Sequence, residues 1–375
     1  GVNLGQISQC SISGIVEAND RSKRIGGVAG MNAEGNISNC KVAASISSGI
    51  DSACVGGIAG MGYDCTIFDC DFNGTVSGGY NSWGLAGIVG GHYGGRIQDC
   101  DVKVTINGAD ELRLSGGIVG DNTKDIINCN ADVTVTAEDK AVYIGGLIGF
   151  HHGGTILGSY ADTTINVGDL SRHIGGAIGI NNNVFYYGIA SVLRCLADAT
   201  ITVGDNCQSI ALLTGGNQGG AFERCYGTGT IQLGLNSSDI GGFGGEFLTI
   251  SKGIVRDCYV NGSISGYDNP SQIAGFVGRA GLTDYINCYT VMDISGISNA
   301  EPFTGSSSSA TYVDCVYLSD VSAGDSQLRG MTDAEMKIKA NFSSWDFAGT
   351  WWVNDGRDYP KLAFQPFGDP DNDSH

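Results

Sequence analysis

A segment of small residues of the type GGVAG returns ten times along this chain. It starts at Gly26, Gly56, Ala86, Gly116, Gly145, Gly175, Ala211, Gly241, Ala274 and, in degraded form, Pro302. An apolar-x-x-Cys step keeps time with it, through Cys10, Cys40, Cys70, Cys100, Cys129, Ser159, Cys195, Cys225, Cys258, Cys288 and Cys315. Two independent markers in one register of about thirty residues identify Ser159 as a substituted ladder member. Each segment is then one coil of a stacked solenoid, because no single copy can bury its own apolar face.

After each ladder residue the chain alternates with period two, as in Cys100, Val102, Val104, Ile106 or Cys129, Ala131, Val133, Val135. That is the pattern of a strand with one buried face. The GG segment, small on both faces, reads as a second strand able to pack closely. Strand, corner, strand and a third strand make one coil of an all-β parallel β-helix. Ten coils at about 4.8 Å predict a rod of roughly 50 Å. The 61 glycines and 5 prolines fall at repeated positions rather than in a linker. Two coils carry insertions, INNNVFYYG (180–188) and EFLTISKG (246–253), which are expected to bulge outward. The repeat spans residues 1–326. Residues 327–366, with a short helical pattern at 332–336 and the rings of Trp345, Phe347, Trp351 and Trp352, read as a C-terminal cap over an open sheet edge. Residues 367–375 read as a flexible tail.

A formal charge of −19 and a pI near 4.4 argue against nucleic acid or an anionic membrane as partner, since both reward clustered Lys and Arg. No apolar run is long enough to be a transmembrane segment. The chain opens mid-coil, around Leu4, without a GG segment before it, so further sequence upstream is expected to carry any signal or lipid anchor. Ten of the 13 cysteines lie on the ladder, where parallel Cβ directions oppose disulfides, and a stack of buried free thiols is expected. Cys54, Cys65 and Cys207 lie off it, and a Cys54–Cys65 bridge is left open.

The copies IGGLIG (144–149), IGGVAG (25–30) and IGGAIG (174–179) resemble the GLUG motif of bacterial cell-surface proteins, and WDFAGTWWVNDGRDYPKL (345–362) resembles the segment that closes such arrays. The likeness spans residues 1–364. It implies a secreted or cell-surface protein, similar to adhesins and to the non-catalytic repeats flanking the catalytic domain of IgA1-specific zinc metallopeptidases. A host glycan or protein is the implied partner. An IgA1-protease label would transfer no catalytic residue, because the H-E-x-x-H signature is absent from this chain.

Only five histidines exist, His92, His151, His152, His173 and His375, and neither a G-x-S-x-G elbow nor a phosphate loop occurs. Equivalent positions on neighbouring coils should bring Asp69, Asp71, Asp99 and Asp101 together, a set able to bind calcium or to act as the carboxylate pair of a lyase or glycosidase. The same repetition also produces a solvated acidic face without any function. Asp132, Asp162 and Asp198 form a second acidic row. Tyr226, Tyr259 and Tyr289 follow the ladder on successive coils, as a packing stack or a platform for sugar rings. His92, Tyr93, His151, His152, Phe185, Tyr186 and Tyr187 follow GG segments and are expected in loops along one edge, with Trp83 a further ligand-binding candidate. No cofactor is required. The leading expectation is a non-catalytic binding or spacer module, and the alternative is a carbohydrate-active β-helix enzyme using surface carboxylates.

Overall fold

One coil shows the plan of the whole chain. It has four strands: β1 (Arg113–Gly116), β2 (Val119–Asn122), β3 (Asp125–Ile127) and β4 (Asn130–Ala137). The labels serve below for the equivalent strands of every coil. The computed structural model describes residues 1–183, 188–248, 251–266, 270–321 and 328–365. Among these residues, equivalent strands pair in parallel into four sheets, of 9, 11, 11 and 12 strands from β1 to β4. The register is continuous, with Asp101 opposite Asn130, Asn130 opposite Tyr160 and Tyr160 opposite Leu196. The chain is therefore a parallel β-solenoid scaffold.

Four strands replace the three expected, because the GG segment is a bend and not a strand. β1 ends on its first glycine, residues 117–118 turn the chain, and β2 begins immediately. The last glycine of the motif then lies against β1 of the preceding coil. A Cβ on Gly149 would stand 2.5 Å from Ser115 N and 2.6 Å from Leu114 C. So close a backbone approach is open only to a residue without a side chain.

The other corners use left-handed residues. The residue before each ladder cysteine has positive φ, as at Asn39 (53°), Asp69 (51°), Asp99 (52°), Asn128 (50°) and Asn287 (53°). Asn and Asp accept that conformation more readily than other residues with a side chain. Between β4 and β1, carboxylates satisfy backbone donors of the next coil: Asp110 accepts from Asp139 N (3.0 Å), Asp139 from Asp169 N (2.9 Å) and Asp169 from Asp205 N (2.8 Å). Part of the acidity of this chain is thus corner chemistry.

The cysteine ladder is buried from Cys40 to Cys315, and all thirteen thiols are free. Cys54 and Cys65 do not bridge, since they lie on a β1 strand (Ala53–Gly56) and a β3 strand (Cys65–Phe68). Ladder thiols donate to the carbonyl two residues before: Cys70 to Phe68 (3.4 Å), Cys129 to Ile127 (3.4 Å) and Cys288 to Ile286 (3.3 Å). Ser159 donates likewise to Leu157 O (3.2 Å) and accepts from Cys129 N (3.1 Å). The rung selects a small side chain with a donor, and the hydroxyl meets that need as well as the thiol. Cys129→Ser should accordingly shift stability by no more than about 1 kcal/mol, the worth of one ordinary hydrogen bond, as read from urea unfolding. A larger loss would mean that sulfur packing dominates the rung.

Residues 328–365 leave the solenoid. A capping box of Thr332 and Glu335 starts the helix α1 (Asp333–Met336), and an antiparallel pair joins Trp351–Trp352 to Lys361–Leu362. Met336, Trp345, Trp351 and Leu362 cluster over the outer face of the last β4 strands, against Tyr259 and Tyr289. The expected boundaries at 326/327 and 366/367, and the tail beyond, fall outside the described residues. Among the described residues no helix is long and apolar enough to cross a membrane.

Candidate functional site

His92 and His151 are not loop residues. They end the β2 strands Val89–His92 and Ile148–His151, and both are wholly buried. The corner from β2 to β3 turns one polar side chain inward on most coils, where it satisfies backbone groups of the turn. Asn32 donates to Gly35 O, Asn122 to Lys124 O and Asn217 to Gly220 O. His92, Asn122, His151, Asn181 and Asn217 follow one another in register. His92 Nδ1 lies 2.8 Å from Asn122 Oδ1, and Asn122 Nδ2 lies 3.0 Å from His151 Nδ1. These bonds assign the imidazole protons to Nδ1 of His92 and Nε2 of His151. Burial pushes both rings below the ordinary imidazole range, His151 down to about 3.

Tyr93 and His152 do reach the outer side. The Tyr93 hydroxyl donates to Asp121 Oδ2 (2.6 Å), and His152 Nε2 stands 3.0 Å from Asp121 Oδ1. Asp121 is only 8% exposed, although it faces away from the core. Its neighbours explain this. In the middle of each β1 strand one residue is left-handed, as at Tyr143 (φ 62°) and His173 (φ 55°). These residues meet the outward residues of β2 across the GG bend. Tyr143 packs edge-on to Phe150 with centroids 4.9 Å apart and stacks on His173 at 5.1 Å, while Phe150 stacks on His152 at 4.0 Å. Tyr143, Phe150, His152 and His173 are half-buried and together form an outward aromatic strip halfway along the rod. Burial, then the nearby Arg172 charge, lowers the His173 imidazole to about 4.

Four carboxylates of the acidic face, Asp71, Asp99, Asp101 and Asp132, are drawn to partners of their own. Asp71 and Asp101 are register neighbours, but Lys41 Nζ lies 3.2 Å from Asp71, and Asn130 donates to Asp101 (2.9 Å). Asp99 accepts from Gln98 and Asn128, and Asp69 is exposed on its turn. Asp132, Asp162 and Asp198 stand in register, with Lys103 Nζ 2.5 Å from Asp132. Partial burial and the flanking Asp132 and Asp198 charges raise the Asp162 carboxyl. Asp71, Asp101, Asp132, Asp162 and Tyr160 line a shallow open depression of about 340 Å³. Among the described residues, no group of three or more His, Cys, Asp or Glu side chains is placed to hold a metal ion.

Tyr226, Tyr259 and Tyr289 stack face to face at 4.9 and 4.8 Å. The cap covers the last two: Tyr289 donates to Pro360 O (2.5 Å), and Gln365 donates to the Tyr259 hydroxyl (2.8 Å). As a sugar platform the row is thus closed at Tyr259 and Tyr289, because the cap needs an apolar seat and these rings provide it. Trp83 is half-buried at the start of a β1 strand, between Ala53 and Arg113 in register. Phe185, Tyr186, Tyr187 and His375 lie outside the described residues.

Tyr143, Phe150 and Asp121 went unnoticed in the sequence. Their one signal is position, the residue two before each GG and the residue just after the motif's last glycine. Comparison with known proteins assigns nothing further: no family model matches the chain, and neither a curated protein nor a solved structure does.

Proposed function

We propose that this solenoid is a non-catalytic binding rod of the cell surface or secreted space, which takes a glycan of a host surface on the strip formed by Tyr143, Phe150, His152 and His173. The observation that carries this reading is the placement of four rings outside the core, half-buried, on a rigid scaffold flanked by the Tyr93–Asp121–His152 group. Aromatic faces suit the apolar faces of sugar rings, and neighbouring fixed polar groups suit their hydroxyls. The resemblance of the repeat to GLUG arrays of adhesin-like proteins supports the same reading, as does the rigidity of a paired four-sheet rod. A glycan-array screen followed by titration tests it. A saturable ligand is expected, weakened at least about tenfold (roughly 1.4 kcal/mol) by Tyr143→Ala or Phe150→Ala with the circular dichroism unchanged. Silence across the array, or a ligand indifferent to both substitutions, overturns the proposal and favours a spacer.

A further inference from the structure

Farther along the same outward strip, the rings give way to charge. His173, Ser209 and Asp239 occupy one place on three successive β1 strands, and Gly216, Glu246 and Arg279 one place on the β2 strands facing them. Ser209 is 1% exposed, Asp239 2% and Glu246 8%. Arg279 Nη1 stands 2.7 Å from Glu246 Oε1, and Gln208 Nε2 donates to Asp239 Oδ2 at 2.6 Å. Asp239 Oδ1 and Ser209 Oγ are both buried without a hydrogen-bond partner. Ser209 Oγ is near enough to Glu246 to act on its carboxylate, but outside hydrogen-bond geometry. Burial and then the Asp239 charge push the Glu246 carboxyl up, against the pull of Arg279.

A buried carboxylate oxygen with no donor is costly, and native structures satisfy nearly all such atoms. Two carboxylates face one guanidinium here, so the cluster is one positive charge short. Its unpartnered atoms, Asp239 Oδ1 and Ser209 Oγ, and the Glu246 carboxylate beside them are all hard oxygens, which select alkali or alkaline-earth ions over zinc or copper. We propose that Ser209, Asp239 and Glu246 form a site for a hard monovalent cation, sodium or potassium, with Arg279 supplying the remaining charge. A single positive charge brings the buried cluster to neutrality, whereas a dication would leave an excess beside the guanidinium. The ligands come from two consecutive coils and Arg279 from a third, and Ser209 follows His173 of the aromatic strip in register.

Thermal unfolding of the whole chain in sodium, potassium or choline chloride at equal ionic strength tests this. Choline is too large to enter. Sodium or potassium should raise Tm above the choline value by roughly 2–4 °C, and Asp239→Asn should abolish the difference. Should that variant fail to fold, sodium-23 NMR of the wild-type chain gives the second reading, as line broadening that potassium reverses and choline does not. Equal Tm in all three salts with no broadening overturns the proposal. Stabilisation by calcium alone, with both monovalent ions inert, overturns it too, because the charge count would then be wrong.

Discussion

Alanine at Gly149 should destabilise the chain by about 3 kcal/mol or more, at or above the upper end of ordinary overpacking. The added methyl carbon would stand 2.5 Å from Ser115 N, 2.6 Å from Leu114 C and 2.7 Å from Gly120 O. All three are backbone atoms inside paired strands, so no rotamer change relieves the contact. The same glycine recurs at Gly30, Gly60, Gly90, Gly120, Gly179, Gly215, Gly245, Gly278 and Gly305, with no alanine among them. The first glycine of the motif is different, for Ala86, Ala211 and Ala274 occupy its place in three coils. A Cβ at Gly145 would also meet backbone, 2.3 Å from Ile148 O, yet alanine stands at this place in three coils, so the strands there shift to accept it and Gly145→Ala is the comparison, expected to cost less than Gly149→Ala. Urea unfolding of the two variants reads the contrast, and equal losses would overturn the distinction between the two glycines of the bend. Each coil leans only on its neighbours, so Gly149→Ala should also broaden the transition as the rod divides near coil five.

Between pH 7.5 and 4.5 the chain should lose stability through its buried imidazoles, and His151→Asn should remove part of that loss. The ordinary imidazole value is 6.5, and burial holds His151 near 3 in the folded chain. The unfolded chain thus binds the extra proton, and stability falls as pH falls. The contribution is complete above pH 6.5 and is lost progressively towards pH 3. At pH 4.5 it amounts to about 2–3 kcal/mol for this one residue. Asparagine fits the rung, since Asn122 and Asn181 flank it in register. The smaller side chain should lower stability at neutral pH by about 1 kcal/mol through the space it leaves, so the two pH profiles are expected to cross. Other groups drop out of the difference, including Glu246, whose raised carboxyl acts in the opposite sense. Parallel profiles for wild type and variant would show that His151 is protonated or solvated in the folded state.

Much of this architecture is legible in the residue order because its causes are local and repeated. Period-two alternation after each ladder cysteine names β4 and its inward face, and the recurrence of Cys or Ser names the rung. The Asn and Asp residues before the ladder mark a left-handed turn, although as Asp69 and Asp99 they also look like chemistry. The bend at GGVAG is less legible, because glycine and alanine carry no pattern of burial and the contact that forces the turn comes from the preceding coil. His92 and His151 mislead for a related reason. A polar residue after a GG segment resembles a loop residue until the β2–β3 corner is seen to fold it inward over its own backbone donors and acceptors.

Repetition in the chain thus establishes the solenoid, its thiol ladder and the stacking of Tyr226, Tyr259 and Tyr289, since each follows from residues recurring in one register, and the break in that register marks the cap. Which rings stay open to a partner is a matter of packing between segments remote in sequence. The cap crosses some forty to a hundred positions to seat itself on Tyr259 and Tyr289. The strip of Tyr143, Phe150, His152 and His173, and the buried cluster of Ser209, Asp239 and Glu246, arise only where the GG bend folds one coil's β1 against the β2 strands beside it. A contact of that kind depends on how the bend sets one strand against another, and no pattern along the chain encodes that geometry.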